Sequence, residues 1–347
     1  MSEWMSFFAK EGFKLASDLP ELKASAIPLP SPSFNWAVGN GGLIEGRWVL
    51  LFGPESGGKS LIAQLIMIEI QKKYKEGIAV VFDTEFSLNK EWFIKNGGDP
   101  TRLVIRQTNQ PIEVFDWCES TLRPKIEAGL PVKVLGIDSI RALQFPKDQG
   151  DTTKAQMGGS GASYLTRALK KLIPVVKPTN ITTILTQHVY EELDMWKKMR
   201  NPWVIPDGRT LRFYSDYMLQ VEKLETKDSF TVENDVITGH TIRVTAKKNK
   251  VAAPFRKAEF KLSYNKGITN TETEIYDLGL KLGIICHPVD ENGKEKIRSW
   301  IIKSNPEEVF TGEEAVKQHV LTSTEAQEAI MNSCMLSGVN EQEVIEE

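Results

Sequence analysis

The sequence predicts an α/β protein with a mostly parallel, partly mixed central sheet, a short N-terminal arm and a small C-terminal α+β lobe. Three observations carry this prediction. Five short apolar runs alternate with helix-length periodic segments between Trp48 and Gln187. A glycine-rich turn joins the first run to the first helix. After them, three alternating runs follow one another with no helix signal between.

Residues 1–33 form the arm. It opens with "MSEWMSFFAKEGFKLA" and continues into "AIPLPSPS", whose three prolines disfavour helix and favour an extended segment. Such a segment either links or docks on a neighbouring subunit. The core follows over residues 34–267. Its runs "RWVLLFG", "GIAVVFDTE", "TRLVIRQ", "VKVLGIDSI" and "ITTILTQH" are apolar almost throughout, as strands covered by helices on both faces must be. Helices are expected over residues 59–73, 112–128 and 163–176. "SDYMLQVEK", "GHTIRVTAKKNK" and "AEFKLSY" read as an antiparallel extension of the same sheet. "GITNTETE" marks a boundary, and residues 268–347 are too few and too charged for more than a small lobe.

Composition narrows the function classes. A chain of 347 residues with 41% hydrophobic content can bury a large core and a satellite. A formal net charge of −3 excludes a basic body, so a nucleic-acid partner must be held by a local basic patch. Cys118, Cys286 and Cys334 lie far apart, form no C-x-x-C and make no spaced metal set with the four histidines. Reduced thiols are expected. No stretch approaches the roughly 20 apolar residues that cross a bilayer, which predicts a soluble, cytoplasmic protein with no membrane partner.

"GPESGGKS" matches G-x-x-x-x-G-K-[ST] at each fixed place: Gly53, Gly58, Lys59 and Ser60. In such a turn, here Gly53, Pro54, Glu55, Ser56, Gly57 and Gly58 with Leu61 in the helix behind them, the backbone N–H groups of the residues other than proline cradle phosphates at a helix N-terminus. Lys59 is expected to reach the β and γ phosphates of ATP, and the Ser60 hydroxyl to ligate Mg²⁺. A second magnesium-side carboxylate is needed at a buried strand end, and "VLGIDSI" supplies Asp138. In "VVFDTEF", strand alternation puts Asp83 and Glu85 on one face, so by spacing either is able to orient the attacking water.

Taken together in order, "GNGGLIEGRWVLLFGPESGGKS", "FDTEFSLNKEWFIKNGGDPTRLVI", "VLGIDSIRAL" and "KKNKVAAPFRKAEFKLSYNKGI" closely resemble the RecA recombinases, including the phage UvsX type. The resemblance runs from about Phe34 to Gly267, with a weaker echo in "YDLGLKLGII". It implies a RecA-type P-loop ATPase core that polymerises as a helical filament on single-stranded DNA, pairs it with homologous double-stranded DNA and exchanges strands. It chooses Glu85 over Asp83 as the group that activates water. Trp92 falls where the family stacks an aromatic on adenine, Asn89 where it has an aspartate near the base, and Tyr264 on a tyrosine near adenine across the subunit interface. Lys248 and Lys250 match a lysine pair reaching the neighbouring subunit's γ-phosphate, so hydrolysis would depend on assembly. His188 stands where bacterial RecA has glutamine and the UvsX type has histidine; there it would sense the γ-phosphate and relay its presence to a DNA-binding loop. The resemblance also leaves room for mediator and single-strand-binding proteins as partners, and for a host cytoplasm if the source is a phage.

Two loops are candidates for DNA. Residues 195–213 carry Lys197, Lys198, Arg200, Arg209 and Arg212 against Asp207, with Trp196, Met199 and Trp203 interleaved. Cations neutralise phosphates while aromatic side chains stack on bases, which is how single strands are held without sequence readout. On that chemistry Lys197, Lys198, Arg200 and Trp203 are the expected contacts within a loop over about 189–209. A shorter loop is expected over about 145–161, in "GDTTKAQMGGSGAS". From Val320 onward there is no lysine or arginine, while Glu325, Glu328, Glu341, Glu343, Glu346 and Glu347 are acidic. That tail either solubilises the chain or competes with DNA. Rival readings are a hexameric RecA-fold helicase and a nucleotide-switched protein scaffold, and "KNKVAAPFRKAEF" argues against both.

Overall fold

The computed structural model describes residues 25–145, 160–200, 202–206, 208–226, 229–291 and 293–337, with Phe7, Phe8 and residues 10–12; at 160–162, 197, 200 and 336–337 it describes the backbone alone. Strand β1 (Ala26–Ile27) and helix α1 (Pro32–Val38) precede β2 (Leu43–Ile44), and β1 pairs antiparallel with β2. The proline-rich stretch is therefore extended only in its first part. Pro32 opens α1, where its missing N–H leaves no helical bond unmade, and the Ser31 hydroxyl accepts from Phe34 N–H at 3.1 Å as the cap. Ile27 and Leu29 are buried against their own chain.

Strand β3 (Trp48–Gly53), α2 (Lys59–Lys73), β4 (Ile78–Asp83), α3 (Lys90–Lys95) and β5 (Leu103–Gln107) follow. The helix expected over 112–128 is wound as two π-helical turns, Ile112–Asp116 and Cys118–Leu122, before α4 (Arg123–Glu127). Next come β6 (Val132–Asp138), α5 (Ser160–Val176), β7 (Thr182–His188), β8 (Tyr190–Glu191), α6 (Met195–Arg200), β9 (Trp203–Val204), α7 (Gly208–Tyr214) and β10 (Tyr217–Lys223). Strands β11 (Phe230–Glu233), β12 (Val236–Asn249), β13 (Lys257–Ser263) and β14 (Gly267–Thr269) complete a ten-stranded sheet in the order β14-β13-β12-β10-β3-β7-β6-β4-β5, with β11 on β12.

Strand β10 corrects the antiparallel expectation for "SDYMLQVEK". It runs parallel to β3 and antiparallel to β12, so the antiparallel part begins one strand later. The reason is α7: this unforeseen helix returns the chain across the sheet, as parallel pairing demands. Alternation sorts the strand side chains into two cores. Val49 and Leu51 pack with α2 on one face, while Trp48, Leu50 and Phe52 pack with α5 on the other.

The lobe consists of α8 (Thr271–Lys281), the antiparallel sheet β15 (Ile285–Cys286), β16 (Ser299–Ile302) and β17 (Asn305–Thr311), then α9 (Glu313–Thr322) and α10 (Thr324–Ser337). It is fastened to the core through Glu274. One carboxylate oxygen of this buried residue accepts from Ser31 Oγ at 2.7 Å and Ser33 Oγ at 2.9 Å, whereas the other has no hydrogen-bond partner. Burial pushes its pKa up from 4.5 to about 7, despite the serine hydrogen bonds, and Asp277 adds repulsion. Because the folded pKa lies above the unfolded one, this contribution is fully present below pH 4.5 and lost as pH rises through about 7. Glu274→Gln should flatten that part of the stability profile and raise stability at pH 8 by about 1–3 kcal/mol. Denaturant melts at pH 5 and pH 8 check it; parallel shifts of both curves would refute it.

Candidate nucleotide site and nucleic-acid interface

The C-terminal ends of neighbouring parallel strands are where open α/β sheets bind ligands. Here Gly53 at the end of β3 lies opposite His188 at the end of β7, and Asp83 at the end of β4 lies opposite Asp138 at the end of β6. The glycine-rich turn leaves β3 at this edge and enters α2. A Cβ on Gly53 would sit 2.0 Å from the Val221 carbonyl oxygen, and Gly58 caps α2 with φ +93°, so both positions demand glycine.

Lys59 lies buried inside the turn and donates to the carbonyl oxygens of Gly53 at 3.1 Å and Pro54 at 2.7 Å. Burial lowers its pKa, opposed by Asp138, Glu85 and Glu55. Asp138 accepts from Thr186 Oγ1 at 2.5 Å and from the Ser60 hydroxyl. Its pKa is raised, chiefly by burial and further by Glu85 and Asp83. The Ser60–Asp138 pair offers hard oxygen donors at the start of the helix, which fits Mg²⁺. No group of three His, Cys, Asp or Glu placed to hold a metal exists among the described residues, so such an ion would need phosphate oxygens and water as well.

Asp83 and Glu85 do not share a face, because β4 ends at Asp83. Asp83 is buried and accepts the N–H groups of Ser87 at 3.1 Å and Leu88 at 3.2 Å, a turn-forming role. Glu85 projects past the strand end, where its Oε1 accepts from His188 Nε2 at 2.8 Å and from the Ser139 hydroxyl. The His188 hydrogen bond holds its pKa below the usual carboxylate value against burial, and Ser139 adds to this. Ser139 and Thr186 are site residues that motif reading missed. Their signal is adjacency: one follows Asp138, and the other precedes His188 by two positions on the same strand face.

Two cavities open here. One, of about 300 Å³, is lined by the turn from Ser56 to Leu61 with Glu85, His188, Lys223, His240 and Tyr264. The other, of about 550 Å³, lies between Glu55, Ser56, Glu85, Arg141, His188 and Tyr190. Tyr264 thus faces the phosphate turn of its own chain, which corrects the expectation that it reaches across an interface. Asn89 caps α3, accepting from Trp92 N–H at 2.9 Å. Trp92 is only 3% exposed and belongs to the core, so it does not present a ring face for stacking in this structure.

Lys248 and Lys250 line neither of these cavities. They lie in a third, of about 910 Å³, with Lys177, Arg212, Phe213 and Asp216. Lys250 Nζ donates to Asp216 Oδ1 at 3.1 Å, and Lys248 donates to the Arg212 carbonyl. Burial alone would raise the Asp216 pKa, yet the Lys177, Trp48 N–H and Lys250 hydrogen bonds bring it below the usual value. Burial lowers the Lys248 pKa, and Lys250 lowers it further.

Of the expected DNA contacts, Lys197, Lys198 and Arg200 fall on α6, and the side chains of Lys197 and Arg200 lie outside the described residues. Lys198 is exposed and donates to Glu191 at 2.7 Å. Trp203 is half-buried in the β8–β9 ladder and donates to Glu222 at 2.9 Å, so it does not stand out as a stacking platform. The most exposed apolar groups there are instead Leu193, Met195, Trp196 and Met199, at 79–96% exposure. Most of the shorter expected loop, residues 146–159, and the tail from 338 lie outside the described residues. No helix among the described residues is long and apolar enough to cross a membrane.

Comparison with known proteins agrees with this architecture. Residues 5–269 match the family model of the RecA N-terminal domain. Among similar proteins, Protein RecA of Clostridium novyi is 33% identical over 301 residues, covering 86% of this chain and 78% of the relative. Protein RecA of Aquifex pyrophilus is 32% identical over 311 residues, covering 89% and 82%. Protein RecA of Mesomycoplasma hyopneumoniae (strain J) is 29% identical over 285 residues, covering 82% and 80%. With its sheet, its phosphate turn and this match over most of its length, the chain belongs to the RecA family.

Proposed function

We propose that this protein is a DNA-dependent ATPase that assembles as a helical filament on single-stranded DNA and exchanges strands with a homologous duplex. One observation carries the reading: Lys59, Ser60, Asp138 and Glu85 converge at one sheet edge, while Lys248 and Lys250 line a separate cavity. A site completed only by a second copy couples hydrolysis to assembly.

In this mechanism the turn and Lys59 bind the β and γ phosphates, and Lys59 exchanges its two carbonyl partners for phosphate oxygens. Ser60 and Asp138 would hold Mg²⁺, which would supply charge neutralisation at the phosphates. Glu85, kept ionised and oriented by His188 and Ser139, accepts a proton from the attacking water. His188 thereby links the reacting end of the nucleotide to the chain beyond β7, where Trp196 and its exposed neighbours contact DNA bases. A histidine at this position supports a phage UvsX-type member acting in a host cytoplasm. Within the arm of residues 1–33, the part reaching the next subunit would precede Ala26, because Ile27 and Leu29 are buried against their own chain.

Electron microscopy with single-stranded DNA and a slowly hydrolysed ATP analogue tests the assembly. A stretched helical filament is expected; closed six-fold rings would favour a helicase and overturn the reading.

A further inference from the structure

The 300 Å³ cavity has a wall outside the phosphate turn, where the RecA resemblance places Tyr264 near adenine and assigns nothing to His240. His240, on β12, and Tyr264, just beyond β13, line it together with the phosphate turn. His240 Nδ1 lies 3.2 Å from Tyr264 Oη, and the ring centroids are 5.4 Å apart. His240 is 3% exposed and its Nε2 has no hydrogen-bond partner. Tyr264 is 40% exposed, so its hydroxyl is the accessible member.

Burial, with Lys223 beside it, holds the imidazole pKa down at about 4, so the ring is neutral at physiological pH and carries one N–H. Were that hydrogen on Nε2, a buried donor would have no acceptor. With it on Nδ1, the ring donates to Tyr264 Oη and only a lone pair is left unmatched, the better-tolerated arrangement. The tyrosine hydrogen then cannot point at His240 and turns to the cavity.

We infer that His240 is a positioning residue of this site: paired with Tyr264, it turns the tyrosine hydroxyl into a hydrogen-bond donor to an acceptor atom of the bound nucleoside, a base nitrogen or a ribose oxygen. This rests on the reading of the turn as a nucleoside-triphosphate site.

The test is equilibrium binding of a slowly hydrolysed ATP analogue with Mg²⁺ to the full chain. Tyr264→Phe should weaken binding about five- to tenfold, the size of one neutral hydrogen bond. His240→Ala should match it, the double variant should be no weaker than either single, and His240→Asn, which keeps a donor near Nδ1, should recover most of the loss. Removing acceptors one at a time (the ring nitrogens, then the ribose oxygens) must abolish the Tyr264→Phe effect for one analogue. Wild-type affinity in His240→Ala, additive losses in the double variant, or a Tyr264→Phe effect that persists with every analogue overturns the pair. Thermal melts show whether His240→Ala is folded; if it is not, His240→Asn and Tyr264→Phe carry the test. Lys59→Ala separates the levels: unchanged affinity there sinks the nucleotide site itself, whereas lost affinity there with none lost in Tyr264→Phe sinks only the pair.

Discussion

Replacement of Lys59 by alanine is expected to lower DNA-stimulated ATP hydrolysis by at least about a hundredfold, the scale of losing one preorganised charge at a reacting phosphate. The loss should appear in nucleotide affinity as well as turnover, because the ammonium contacts the bound triphosphate in the ground state too. Stability offers the control. Lys59 is a buried cation whose pKa is lowered by burial, and its hydrogen bonds go to the Gly53 and Pro54 carbonyls of its own turn. Removing it relieves that desolvation, so the melting temperature should hold while activity collapses. Hydrolysis above a tenth of the wild-type rate would contradict the assignment of this turn as the ATP site.

The parallel core was legible because its strands are covered on both faces: β3 is buried at every position, and only an apolar run satisfies that. The helix after it began at Lys59 as the phosphate motif requires. Strand β10 was misjudged for a physical reason. Its direction is decided by α7, a short helix whose basic face, Arg209 and Arg212, resembles a solvated loop. In the site, motif spacing found the groups that bear charge but not those that orient them. Ser139 and Thr186 act through contacts between strand ends that are 54 and 48 residues apart in sequence. Asp83 and Glu85 were indistinguishable by alternation because alternation stops where the strand stops, and only the turn geometry separates a buried turn anchor from a projecting carboxylate. Trp92 and Trp203 show the same limit. An aromatic residue in a binding motif also has a large surface to bury, and here core packing and the Glu222 hydrogen bond claim those rings.

Lys250→Ala is expected to retain ATP binding while losing about a hundred- to a thousandfold in DNA-stimulated turnover, as removal of a charge supplied from a neighbour does. Within one protomer Lys250 is one of three cations around Asp216, with Lys177 at 2.8 Å and Arg47 at 4.0 Å remaining after its removal. The carboxylate therefore stays paired and the fold should persist. The stronger test mixes this variant with Lys59→Ala. An interface works only if its phosphate turn comes from a Lys250→Ala protomer and its lysine from a Lys59→Ala protomer. Random 1:1 assembly makes such interfaces at about one in four, so activity should return to roughly a quarter of the wild-type level from two nearly inactive proteins. Were Lys250 to act on the nucleotide of its own chain, every protomer in the mixture would stay defective and no activity would return. Recovery that requires both proteins on the same DNA strand would locate the reacting phosphate between subunits; a mixture as inactive as its components would remove Lys250 from the chemistry.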